Sequence, residues 1–305
     1  MDKVYENLLE QVSGLCGMPS GAYNIRANGE KLGRNTTANI DIVTKTDKPG
    51  IDIIIRPGTK GETVHIPVVI SQTGLEEVVY NDFYIGDGAD VTIIAGCGIH
   101  NPGKEESAHD GVHRFFVGKN ARVTYVEKHF GESTEGAKNN MSPETIVEME
   151  ENSYMKMDTV QLGGVNRANR KTSAKIGDNS SLVIEEKIMT DFDQVATTDF
   201  QVDLDGENSS SHVISRSVAK GDSYQEFKSR MDGNNVSRGH TECDAIIMGR
   251  GKVAAIPEIM ANHPDAALIH EATIGKIAGE QLMKLQTLGL DEEEAEAEII
   301  AGFLK

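Results

Sequence analysis

Two groups of residues in this chain have the types that ligate metals. The first is Cys243 followed by the adjacent pair His270 and Glu271. It offers a thiolate, an imidazole and a carboxylate, donors that suit iron and other transition metals. The second is Cys97, His100, His109 and His113, in the stretch CGIHNPGKEESAHDGVHRFFV, a set whose donors suit zinc. Each has a plainer reading. A lone cysteine on a strand is usually a small buried apolar residue. Neighbours such as His270 and Glu271 on an extended chain point to opposite faces. His109 and His113 precede a strand rather than sitting on a helix, and four residues of strand put them about 13 Å apart, too far to chelate one ion directly. His240 and His263 lie near these groups in sequence and are candidates for outer-shell support.

Other chemistry is excluded by spacing. Gly249-Arg250-Gly251-Lys252 lacks the separation of a phosphate-binding loop, so the chain is not expected to hydrolyse ATP. Neither a GxSxG elbow nor an HExxH motif is present. The three cysteines, Cys16, Cys97 and Cys243, form no CxxC pair and are expected as thiols. A formal charge of −18 argues against nucleic acid or an anionic membrane surface as the main partner. No apolar run approaches a membrane span, and the N-terminus MDKVYENLLEQ does not read as a signal peptide, which predicts a cytoplasmic protein.

The elements that must position these residues are mostly strands. Residues 3–15 read as a helix, with Val4, Leu8, Val12 and Leu15 on one face. From Ala38 the apolar period changes to two, as in Ile51, Ile53 and Ile55 and again in Val64, Ile66, Val68 and Ile70. A turn containing Gly or Asn, then Ala or Ser, then an apolar residue recurs as GDGADV, GKNARV, ENSYMKM, GDNSSLV and GENSSSHV. Its small residue falls at positions 89, 121, 153, 180 and 209, a spacing near 30. All-strand repeats of that length predict a solenoid, best a right-handed parallel β-helix, with an antiparallel sandwich as the alternative. Residues 131–140 read as a loop tip. The C-terminal end predicts two helices. One covers 279–288 with Leu282, Leu285 and Leu288 on a face and Gly289 at C′. The other opens with Asp291 as N-cap and Glu294 closing a capping box. The expected divisions are a helical segment at 1–37, a β-helix core at 38–274 and a helical region at 275–305, in one elongated unit.

Four motifs in order over residues 239–303, TECDAIIMG, IPEI, HEATIGKI and EQLMKLQTLGLDEEEAEAEIIAGF, resemble the C-terminal part of the SufB/SufD family. Those proteins are scaffolds of the SUF iron–sulfur cluster assembly system. Cys243 and the HEAT tetrapeptide make the likeness closer to SufB, and to its short, SmsB-type members. The resemblance implies a parallel β-helix flanked by helices. It also implies a transient iron–sulfur cluster held by Cys243, Glu271 and His270, with His270 matching the histidine that matters on SufD. Implied partners are a SufC-like ABC-type ATPase, whose ATP-driven closure would expose the site, and apo iron–sulfur proteins that receive the product. A homodimer is expected, with a second scaffold chain in one place as the alternative. The chain would be a scaffold rather than an enzyme. The alternatives are a SufD-like structural subunit, or a zinc-binding β-solenoid protein using Cys97, His100, His109 and His113.

Overall fold

A computed structural model describes residues 3–133 and 136–305. It is a mainly β protein of stacked parallel coils, a β-solenoid of about eight turns, with short helices at both ends. Among the described residues, the first sheet runs in the order Glu30–Asn35, Ala22–Ala27, Lys60–Ile70, Asp90–Asn101, Arg122–Ser133, Tyr154–Leu162, Ser181–Thr190, Ser209–Ala219, Ser237–Ile247 and Ala266–Gly275. The second runs Ile40–Thr44, Gly50–Ile55, Glu76–Ile85, Ser107–Val117, then Asn139–Met141 with Glu144–Met149, Arg167–Ile176, Val195–Leu204, Tyr224–Gly233 and Lys252–Ala261. From Gly50–Ile55 onward the strands alternate between the sheets, with Asn139–Met141 and Glu144–Met149 together on the second, and coil-to-coil pairing is parallel. Antiparallel pairs occur at the N-terminal end, between Ala22–Ala27 and Glu30–Asn35 and between Ile40–Thr44 and Gly50–Ile55.

The turn repeat is the corner of the coil. Ala89, Ala121, Ser153, Ser180 and Ser209 stack as a buried column of small residues. Each is tied to the next coil, as in Arg122 N–H to Ala89 O at 2.7 Å and Ser210 N–H to Ser180 O at 2.9 Å. The residue before each small one turns the chain in the left-handed region, at Gly88, Asn120, Asn152, Asn179 and Asn208. Asparagine tolerates that conformation better than other non-glycine residues, which is why the repeat carries Asn or Gly there. Between corners, alternate residues point into the lumen. It is filled by Ile53, Phe83, Phe115, Tyr125, Phe200 and Phe227, and Phe83 stacks on Phe115 with centroids 4.4 Å apart.

The N-terminal helix α1, Lys3–Ser13, packs outside the first sheet and buries Leu8, Leu9 and Val12. The sheet makes room for it with glycines: a side chain at Gly98 would begin 3.2 Å from Leu8. Residues 131–133 and 139–140 belong to strands, so the expected loop is shorter than 131–140, and residues 134 and 135 lie outside the described residues. Helix α2, Gly279–Gln286, stops before Leu288, which is 75% exposed instead of joining a packed face. Helix α3, Glu292–Phe303, has the expected capping box, with Glu294 N–H donating to Asp291 Oδ1 at 2.8 Å and Asp291 N–H donating to Glu294 Oε2 at 3.0 Å. Ala295 and Ile300 are its buried residues.

The corner makes a direct prediction. Asn179→Val should destabilise the fold by about 1–2 kcal/mol, because a β-branched residue resists the left-handed turn. Asn179→Gly should cost far less. Thermal melting of the three proteins checks the ranking, and equal melting temperatures for Val and Gly would refute it.

Candidate functional site

The strand Ser237–Ile247 sets the geometry around Cys243. Its buried residues alternate, with Thr241, Cys243 and Ala245 toward the lumen and His240 and Glu242 on the outer face. In the next coil, Ala266–Gly275 aligns Thr241 with His270, Glu242 with Glu271 and Cys243 with Ala272. The strand period therefore divides the expected set. Cys243 and His270 share the inner wall, two register positions apart on neighbouring strands. Glu271 is on the outer wall, its side chain 67% exposed and its Oε2 3.5 Å from His240 Nε2.

Cys243 is buried, and burial first, then the charge of Glu186 and of Asp244, pushes its thiol up to about 12. The thiolate that a metal requires is thus suppressed in this closed arrangement. His270 has both ring nitrogens shielded from solvent and without hydrogen-bond partners. Its pKa is lowered by that burial and then by His240. A histidine so placed is a neutral donor available to a ligand.

The second set does not assemble as a foursome. Cys97 and His100 are three positions apart on one strand and face opposite ways, Cys97 buried and His100 turned toward Glu132 at 3.3 Å. His109 and His113 are both buried and share the lumen with Cys97. His113 Nδ1 donates to Tyr125 Oη at 2.7 Å, and that hydroxyl donates to Glu127 Oε1 at 3.0 Å. Burial above all lowers the His113 pKa to about 4, so the ring is neutral, consistent with Asn81 Nδ2 approaching its Nε2 at 3.3 Å. Burial, followed by the nearby Glu77, raises the Cys97 thiol well above its ordinary value.

Sequence reasoning missed a buried charged row. Glu127, Thr159, Glu186, Ser215 and Cys243 occupy one register line along the lumen wall. Arg170 enters from the opposite sheet, pairs with Glu127 and sits 3.6 Å from Glu186. Arg170 holds Glu127 well below the usual carboxylate range against the opposing cost of its burial, and His129 adds to this. Glu186 is shifted upward by burial although Ser215 and Thr198 both donate to it at 3.0 Å. The signal was available: Glu127 follows Val123 and Tyr125, and Glu186 follows Leu182 and Ile184, in the inward phase of their strands.

Burial and thiol pKa give a labelling prediction. With a pKa of about 12, only roughly one Cys243 in 10⁴ is a thiolate at pH 8. Iodoacetamide should label the exposed Cys16 quickly and leave Cys97 and Cys243 intact until denaturant is added. Peptide mass spectrometry reads this. Rapid native labelling of Cys243 would contradict the closed site.

Comparison with known proteins adds an independent line. A family model described as SUF system FeS cluster assembly, SufBD core domain, matches residues 74–303. Three similar proteins are each named an iron–sulfur cluster assembly SufBD family protein. The one from Archaeoglobus fulgidus is 30% identical over 263 residues, 85% of this chain and 69% of its own. The one from Methanothermobacter thermautotrophicus (strain Delta H) is 29% identical over 234 residues, 75% of this chain and 55% of its own. The one from Pyrococcus horikoshii is 25% identical over 297 residues, 97% of this chain and 84% of its own. The match thus spans little more than half of the Methanothermobacter relative. With a family model covering most of the solenoid and a stacked-coil fold to match, the chain belongs to the SufBD family of iron–sulfur cluster assembly proteins.

Proposed function

We propose that this protein is a SufB-like scaffold on which an iron–sulfur cluster is built transiently, and not an enzyme. Cys243, His270 and Glu271 would be its ligands. The observation that carries the reading is the position of Cys243 on the inner wall one strand from the open C-terminal end, with the unpartnered His270 on that last strand. Thiolate is the preferred ligand of such clusters, and a single cysteine with weaker histidine and carboxylate partners allows release. Because Cys243 is buried and protonated and Glu271 faces away, loading needs an opening of the last coil. A SufC-like ABC-type ATPase is the partner we assign to drive it, with apo iron–sulfur proteins as recipients in the cytoplasm. Among the described residues, no helix is long and apolar enough to cross a membrane.

The last coil also favours a homodimer. Lys252–Ala261 and Ala266–Gly275 end their sheets, so each leaves one edge without a neighbouring strand among the described residues. Ile256, Ile259, Met260, Ile269 and Ile274 are exposed there. A second copy is the occupant we assign, since it presents the same complementary edge and apolar set. Sedimentation of the chain, alone and with a SufC-like ATPase, should give a dimer and a larger complex. Ile259→Asp should shift the first toward monomer. A wild-type monomer that ignores the ATPase would count against both assignments.

Anaerobic reconstitution with iron and sulfide tests the scaffold itself. Wild type should acquire a labile cluster, seen by absorption and iron counting, and Cys243→Ser should lose it. A cluster indifferent to that substitution would move the site away from Cys243. A wild type that binds the ATPase but never holds a cluster would make the chain a SufD-like structural subunit.

A further inference from the structure

The outer wall beside Cys243 carries a group that the cluster site does not use. His212 and His240 are register partners on the neighbouring strands Ser209–Ala219 and Ser237–Ile247. Their rings stack with centroids 4.7 Å apart and planes 6° from parallel. His212 Nε2 lies 3.7 Å from Glu242 Oε2, and His240 Nε2 lies 3.5 Å from Glu271 Oε2. Both nitrogens are shielded from solvent and have no hydrogen-bond partner. Shielded nitrogens that face carboxylates yet stop short of hydrogen bonding call for an explanation.

A shared cation supplies one. One donor atom from each of His212, His240 and Glu242 lies within 4.8 Å of the others, the only such trio among the described residues. We propose that His212, His240 and Glu242 bind one divalent transition-metal ion on the outer wall, separate from Cys243. Two imidazoles and a carboxylate select zinc, ferrous iron, cobalt or nickel over magnesium and calcium. Metal–ligand bonds of about 2.1 Å require these atoms to draw together to roughly 3.3 Å. Side-chain rotation supplies that movement, because the side chains of His212 and His240 are 38% and 32% exposed. Adjacent strands of a sheet are about 4.8 Å apart, so histidines paired across them converge where His109 and His113, four positions apart on one strand, do not. Glu271, on the next strand, reaches His240 and is placed to orient its ring. The ion's two positive charges would balance the two carboxylates.

This proposal goes beyond the scaffold reading and does not depend on it. The test is anaerobic titration of the full-length protein with Co²⁺, followed by ligand-field absorption and equilibrium binding. Wild type should bind one Co²⁺ per chain through this trio, and Cys243→Ser should bind it equally. His212→Ala, His240→Ala and Glu242→Gln should each weaken binding by at least about tenfold, since even outer-shell losses at metal sites cost that much. Circular dichroism checks that each variant is folded. For a variant that is not, Zn²⁺ should protect His212 and His240 of the wild type from diethyl pyrocarbonate, read by mass spectrometry. The proposal is overturned if wild type binds no Co²⁺, if the His212→Ala, His240→Ala double variant binds it normally, if Cys243→Ser abolishes it, or if Zn²⁺ leaves both histidines reactive. A chain that forms no cluster but takes Co²⁺ on these histidines would defeat the scaffold reading alone. A Cys243-dependent cluster without Co²⁺ at the histidines would defeat this proposal alone.

Discussion

Vertical register between coils is the constraint on which everything else here depends. Parallel pairing places each residue directly over its counterpart in the next coil, so a corner that drifted by one position would turn every later inward side chain outward. The column of small residues and the left-handed Asn or Gly before each one prevent that drift. They cost little sequence, one turn in about thirty residues, and they hold the lumen wall straight enough for chemistry-bearing residues from distant parts of the chain to line up.

That alignment explains how charge survives inside an aliphatic and aromatic core. Glu127 and Glu186 are nearly sixty residues apart along the chain, yet they stand near one another on the lumen wall and meet the same guanidinium from the opposite sheet. Removing one partner of such a buried group typically costs about 3–5 kcal/mol, so the arrangement is one the fold must keep whole. The charge row also acts on the thiol: after burial, the charge of Glu186 is the largest influence keeping Cys243 protonated.

The end of the stack is where the constraint lapses. Interior coils are covered above and below, whereas the coil carrying His270 is covered on one side only, and its residues are correspondingly exposed. Cys243 lies one layer in from that end. The ligand set proposed there would be shielded at rest, and moving a single layer would reach it. On the outer wall at the same level stand His212, His240 and Glu242, whose side chains are part-exposed.

Local periodicity determined much of this from the sequence alone. Alternation announced strands, the turn repeat announced the corner and the coil length, Asp291 and Glu294 announced the capping box, and adjacency announced that His270 and Glu271 would face opposite ways. Each is a property of a few consecutive residues. Strand pairing decided the rest. Cys243 lies beside Ala272 rather than beside His270 because of the register between two coils. His212 meets His240, twenty-eight positions along the chain, for the same reason. Arg170 reaches Glu127 only because two sheets close round one lumen. Those neighbours are far apart in sequence, and no local pattern records which coil will stack on which residue; the ladder of backbone hydrogen bonds does.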